Sequence, residues 1–180
     1  MEQDELLPNE PRLMPMQGTF FNGDFNVANE FLKLKEKYSI ATILETGTCV
    51  GGSTKWFAEN FEKVSTVEIM EQYRNIALER CKGLKNITSY LGNSVANLTV
   101  MLSPCDNKTI LFLDSHWNQH FPLIEELQII KNSGLKPCIV VHDCFVPNEP
   151  SLGFDQYNGV TISFETMKPY FDDIYGVGGY

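Results

Sequence analysis

The sequence predicts an α/β protein, a doubly wound and mostly parallel sheet with helices on both of its faces. Three observations carry that prediction. Short β-branched runs alternate along the chain with amphipathic stretches of helical spacing. The runs Thr-Ile-Leu-Phe-Leu from Thr109 and Cys-Ile-Val-Val from Cys138 are continuously apolar, as strands covered on both faces must be. A length of 180 residues is enough for one sizeable core and short for two.

Taken in order, residues 1–23 hold Pro8, Pro11, Pro15, Gly18 and Gly23 with little periodicity, so they read as an irregular arm outside the core, of a kind that often flaps over a site. Residues 24–180 read as a single domain. A first helix is expected over 24–38, where Val27, Phe31, Leu32 and Leu34 recur at helical spacing between lysines and Glu36. Strands are expected at Ile40–Leu44, Lys63–Ile69, Asn86–Leu91, Thr109–Asp114 and Pro137–His142, with helices around 53–61, 70–82, 94–103 and 121–133 between them. Alternation of this kind requires right-handed crossovers and gives a parallel sheet. A last segment, about 160–172, looks helical but contains Pro169, which should bend or end it. No internal repeat or low-complexity tract is present.

Composition narrows the function classes. Hydrophobic residues at 43% and charged residues at 21% describe a packed globular chain. A net charge of −9 repels phosphate backbones and anionic membranes, which argues against nucleic acid and lipid surfaces as partners. The acidic start, Met-Glu-Gln-Asp-Glu, is the opposite of a secretory leader, and no apolar run approaches the length of a membrane span, so a cytoplasmic location is expected. Five scattered cysteines, none in a C-x-x-C pair, signal neither a disulfide framework nor a structural zinc site.

An open doubly wound sheet binds its ligand beyond the carboxyl ends of its strands. The first expected strand runs directly into Glu45-Thr46-Gly47-Thr48-Cys49-Val50-Gly51-Gly52-Ser53-Thr54, with Ser53 or Thr54 expected to cap the helix that follows. Glycines at such a turn let a ligand approach the backbone, and a helix N-terminus offers N–H groups to an anionic group. The dinucleotide fingerprint G-x-G-x-x-G is met imperfectly, because position 49 is cysteine; acid-x-G-x-x-x-G fits better. Glu68, at the end of the second strand, is placed to accept hydrogen bonds from both hydroxyls of a ribose, whether the ligand is NAD or S-adenosylmethionine. Gly92-Asn93-Ser94 either borders an adenine ring or simply caps a helix. The fourth and fifth strands bring Asp114, His116, His142 and Asp143 to one rim. Converging carboxylates call for a cation or a shared proton, and a histidine there could serve as general base.

From about residue 38 onward the chain resembles the class I S-adenosylmethionine-dependent methyltransferases, with their Rossmann-like sheet, and within them the small-molecule O-methyltransferases. Phe112-Leu113-Asp114-Ser115-His116-Trp117 is similar to the Leu-Asp-His-Trp signature of catechol O-methyltransferase, with Ser115 inserted. Leu-Asp-x-His-Trp, a Glu-Leu helix and His-Asp after strand five also resemble the macrocin O-methyltransferase and cephalosporin hydroxylase-like groups. The resemblance implies that Glu45, Gly47, Thr48, Gly51, Ser53 and Thr54 hold the methionine half of S-adenosylmethionine, Glu68 the ribose, and Asn93 and Ser94 the adenine edge. It implies that Asp114, which also borders the cofactor, faces a small-molecule acceptor together with His116 and Asp143. Magnesium would be held by Asp114 and Asp143. The departures are Cys144 where the metal-binding pair has Asn, and Asn118 where a lysine accepts the proton, leaving His116 and His120 as candidate bases. The family sheet usually ends in a sixth and an antiparallel seventh strand, and Asp172–Tyr180 leaves room for one short strand at most. Either the C-terminal strands are truncated, or the edge of the sheet is completed by the arm or by another subunit in a homo-oligomer.

The expected reaction is transfer of a methyl group to a hydroxyl of a sugar, polyketide or phenol. Two rivals stay open at this stage: a non-catalytic binding or assembly module of the same fold, and an NAD-dependent oxidoreductase. The loop from Phe145 to Tyr157, with Phe154 in it, either walls the acceptor or packs down on the domain.

Overall fold

The period-two alternation of the central strands decides which helices lie on which face. The computed structural model describes residues 19–116, 120–149 and 151–180. Its strands β1 (Thr42–Thr46), β2 (Lys63–Glu68), β3 (Ile87–Leu91), β4 (Thr109–Leu113) and β5 (Cys138–Val141) form one parallel sheet in the order β3-β2-β1-β4-β5. The helices are α1 (Phe25–Tyr38), α2 (Gly52–Asn60), α3 (Glu71–Arg80), α4 (Ser94–Leu102), α5 (Leu123–Ser133) and α6 (Phe164–Tyr175). Ile43, Ile110 and Phe112 turn to one face and meet Phe31 of α1 and Phe57 of α2. Their neighbours Leu44, Leu111 and Leu113 turn to the other and meet Leu98 of α4, Leu127 of α5 and Ile174 of α6. Each fully buried Leu or Phe contributes roughly 2 kcal/mol of transfer free energy, so a one-residue slip of β4 would forfeit several such terms at once. The chain walks outward from β1 to β3 and then returns to β4 beside β1. The strand order thus reverses between β1 and β4, which is the switch point where ligands bind.

Most expected elements are present, and four details differ. The first strand begins at Thr42 rather than Ile40, because Ser39 in a left-handed conformation and the bond from Ile40 N to Lys35 O first close the end of α1. Ser53 and Thr54 do not cap α2; Gly51 stands at the cap with φ 78°, and no side chain caps the helix. The last helix starts at Phe164, capped by Ser163, and runs through Pro169 to Tyr175. Proline forfeits one hydrogen bond there, and burial of Met167 and Ile174 on either side of it keeps the helix continuous. Val160 and Thr161, expected to begin that helix, instead form β7 (Val160–Thr161), which pairs with β6 (Gln156–Tyr157) in a hairpin around Asn158-Gly159, both at positive φ, the pairing such a two-residue turn demands.

Most of the expected arm lies outside the described residues, and its last part does not stay outside the core. Phe21 is 4% exposed and stacks on Phe31 with ring centres 5.2 Å apart, edge-on to Trp56, Phe57 and Phe112. Among the described residues, β5 ends the sheet, and no helix is long and apolar enough to cross a membrane.

Candidate functional site

Gly47 is where the first strand can turn toward the site. It sits at φ 88°, and a Cβ there would lie 2.5 Å from the carbonyl oxygen of Asp114, so neither the conformation nor the space admits a side chain. Close approach of this turn to the end of β4 leaves a cavity of about 340 Å³ over the carboxyl ends of β1, β2 and β4. Of the residues expected at the cofactor, Glu45, Gly47, Thr48, Ser53, Glu68, Ser94 and Asp114 line that cavity. Gly51, Thr54 and Asn93 do not. Gly51 is packed against Ala77 of α3, Thr54 donates to Glu45 at 2.5 Å, and Asn93 accepts from Val95 N at 2.8 Å as the cap of α4.

The end of the cavity over β1 and β2 is built around two buried carboxylates. Glu68, 6% exposed, accepts from Cys49 N at 2.7 Å through one oxygen and from Met70 N at 2.9 Å through the other. Each oxygen keeps a further lone pair, so the group is fixed and still able to accept from a pair of hydroxyls. Burial raises its pKa above the ordinary value. Glu45, 1% exposed, accepts from Thr54 Oγ1 and from Thr66 Oγ1 at 2.7 Å. Burial outweighs those donors and pushes it up to about 8. Beside them the uncapped start of α2 opens onto the cavity through Gly52 and Ser53. The Ser53 hydroxyl is engaged by Phe21 N at 3.0 Å, so residues 19–22 border this end as a strap.

The other end gathers Asp114, Ser115, His116, His142 and Asp143 on the rims of β4 and β5. The bond from His142 N to Leu113 O, 3.2 Å, carries the ladder one step beyond β5, and Asp143 then turns back at φ 51°. His142 Nδ1 lies 3.1 Å from Asp114 Oδ1 and 3.1 Å from Asp143 Oδ2. This nitrogen is buried and lines up in a straight hydrogen bond with neither oxygen. Burial alone would lower the pKa of His142, but the two carboxylates outweigh it and hold the group up to about 10. Asp143 in turn sits below the ordinary value: its own burial would raise it, and His142 more than offsets that. Magnesium, the ion implied by the resemblance, is poorly matched to these donors. It takes near-octahedral oxygen ligands, whereas a nitrogen stands between the two carboxylates and Cys144 follows them.

His116 is exposed at the cavity rim, its ring 5.8 Å from Tyr157. His120 lies instead on a second cavity of about 300 Å³, with Phe121 and Tyr157, which are stacked 4.7 Å apart. Trp117 and Asn118 are outside the described residues. In the loop after β5, Phe145 and Phe154 meet edge-on at 5.1 Å and both stay partly open to solvent, 38% and 41%.

Glu126, which the sequence reading passed over, ties the two ends together from below. It is 1% exposed and accepts from Ser115 Oγ at 2.7 Å and Thr46 Oγ1 at 3.4 Å, while Ser115 lies 3.1 Å from Ser94 Oγ. Its signal was present: Leu123, Glu126, Leu127 and Ile130 fall on one helical stripe, which places an acid on a buried face.

No family model matches the chain, and no curated protein does. Solved structures do match. The O-methyltransferase TomG of Streptomyces achromogenes, solved with S-adenosylmethionine, is 19% identical over 66% of this chain and 55% of its own, with a TM-score of 0.51. A candidate sarcosine dimethylglycine methyltransferase of Galdieria sulphuraria is 12% identical over 84% and 61%, with a TM-score of 0.52. Precorrin 8w decarboxylase of Methanobacterium thermoautotrophicum is 20% identical over 94% and 78%, with a TM-score of 0.53. The chain spans between 51% and 55% of the length of the first O-methyltransferase structures that it matches. At these identities the likeness is one of fold: the chain has the Rossmann-like α/β sheet found in S-adenosylmethionine-dependent methyltransferases.

Proposed function

We propose that the protein binds S-adenosylmethionine at the ends of β1 and β2 and directs its methyl group to a hydroxyl of a small molecule held at the ends of β4 and β5. The observation that carries this reading is Glu68, a buried carboxylate fixed by two backbone N–H groups at the edge of a cavity whose far rim holds Asp114, His116 and Asp143. The residues fit the cofactor in charge as well. Its sulfonium and ammonium suit a cavity lined by Glu45, Glu68, Asp114 and Asp143, and its carboxylate suits the uncapped start of α2.

When bound, S-adenosylmethionine supplies an electrophilic methyl carbon on a positively charged sulfur. The chain's own work is alignment and proton removal. Glu68 accepts from the ribose hydroxyls, Glu45 faces the ammonium, and Gly47 keeps the turn low enough for the two halves of the site to meet. Asp114 and Asp143 orient the acceptor hydroxyl. His116, exposed on the same rim, takes its proton. Ser94 and Ser115, tied to Glu126, set the floor between the halves.

The test is transfer of a labelled methyl group from S-adenosylmethionine to a panel of sugars, polyketides and phenols. The reading expects label in at least one hydroxylated acceptor and its loss in His116→Ala. Labelling confined to amines would overturn the hydroxyl assignment.

A further inference from the structure

The proposed transfer gives no part to the β6–β7 hairpin, yet that hairpin sets a further carboxylate beside His116. Asp155 stands directly before β6, and its backbone is pinned on both sides: its N donates to Asp143 O at 3.0 Å, and its O accepts from Ile162 N at 3.2 Å. Phe145 N donates in turn to Ile162 O at 2.7 Å, which ties the hairpin to the chain leaving β5. The Tyr157 hydroxyl donates to Asp155 Oδ2 at 2.7 Å, and the Tyr157 ring is stacked on Phe121 with centres 4.7 Å apart. A carboxylate whose backbone and one oxygen are both fixed by packed partners is preorganised for a second partner. His116 reaches it from the end of β4. A ring nitrogen of His116 and carboxylate oxygens of Asp143 and Asp155 lie within 4.8 Å of one another, and the His116 ring is 5.8 Å from that of Tyr157. Asp143 is drawn to His142, 3.1 Å away through Oδ2, whereas Asp155 has a second oxygen to offer besides the one that Tyr157 holds.

We propose that Asp155 is the positioning residue of His116: it accepts a hydrogen bond from one ring nitrogen and leaves the other to receive the proton of the acceptor hydroxyl, while Tyr157 holds Asp155 in place. The inference builds on the proposed function, in which His116 is the base. A histidine takes a proton through the nitrogen that carries none, so a fixed acceptor for the other nitrogen's hydrogen selects the working tautomer. Such bonds are often long before the substrate binds and tighten with it. The ring takes the hydroxyl proton as the oxygen gains the methyl group and sulfur keeps the electron pair of the broken bond. Asp155 stays ionised and steadies the imidazolium, which then gives its proton to solvent.

The chain has three histidines, so each ring can be resolved. The experiment is long-range proton–nitrogen correlation NMR of the full chain in mildly alkaline buffer, with His116 assigned by its loss in His116→Gln. A single neutral tautomer is expected for His116. Asp155→Asn keeps Tyr157 on its amide oxygen and turns an NH₂ to the ring, so the tautomer should invert; Tyr157→Phe should release Asp155 and give a mixture of both. Unmoved His142 signals verify that the rim of each variant is folded. A mixture in the unsubstituted chain, or a tautomer that neither variant changes, would overturn the proposal. Kinetics on an acceptor found by labelled transfer add a second reading. Asp155→Asn should lower kcat at least about tenfold with KM changed by less than about twofold, and cost nothing further in a His116→Ala background. A loss carried by KM alone, or losses that add, would also overturn it. A tautomer that responds to both variants in a chain that transfers no methyl group would instead overturn the proposed function and leave the pairing of Asp155 with His116 standing.

Discussion

The two ends of the cavity solve the problem of buried charge differently. At the end over β1 and β2, Glu45 and Glu68 are nearly inaccessible and each is held by fixed donors, Thr54 and Thr66 for one and two backbone N–H groups for the other. At the end over β4 and β5, Asp114 and Asp143 are half-buried, converge on a single imidazole, and are followed by a loop whose aromatic side chains remain partly open. A preorganised end suits a constant ligand, whose cost of ordering is met once in the fold; an open, charge-dense end suits a variable one. If this contrast is correct, substitutions at the two ends should separate binding of the cofactor from turnover.

Asp114→Asn should have the largest effect: turnover falls by at least about 100-fold while affinity for S-adenosylhomocysteine changes by less than about threefold, read by kinetics and calorimetry on one preparation. Equal losses in both would mean that the two ends are one unit. Glu68→Ala should do the reverse, lowering cofactor affinity by about 100-fold, the worth of two hydrogen bonds to a charged group. Glu126→Ala bears on the link between the ends. It leaves Ser115 and Thr46 without their acceptor and should cost about 1–3 kcal/mol in denaturant unfolding.

The last effect expected is a pH slope. Glu45 is raised from 4.5 to about 8 in the folded chain, so the cofactor-free protein should lose stability as pH rises through that window, as the unfolded chain gives up a proton that the folded one keeps. A cationic cofactor favours the ionised form, so its affinity should climb over the upper part of the same window, by at most about tenfold per pH unit. Glu45→Gln should flatten both slopes, and slopes that persist in that variant would assign them to another group.

The contrast also explains what could be read from the sequence. Strands with continuous apolar runs, and the acids at their ends, are written in local pattern, so β4, β5, Glu45, Glu68, Asp114 and Asp143 were visible as elements and as candidates. Sequence reading faltered where a residue's partner is distant in the chain. Phe21 looked like part of a loose arm because four of its aromatic neighbours come from α1, α2 and β4. Ser53 looked like a helix cap because nothing local shows that Phe21 N occupies its hydroxyl. The Asn158-Gly159 hairpin is the opposite case: its signal was local, and the helical spacing that follows it masked the turn.

The central claim is that the rigid end of the cavity is a site for S-adenosylmethionine. Its most direct test is calorimetric titration of the purified chain with S-adenosylhomocysteine and, separately, NAD, each repeated with Glu68→Ala. The account predicts saturable 1:1 binding of S-adenosylhomocysteine, weakened in the variant, and none of NAD. A folded chain that binds NAD instead, or that binds S-adenosylhomocysteine equally well without Glu68, would contradict it.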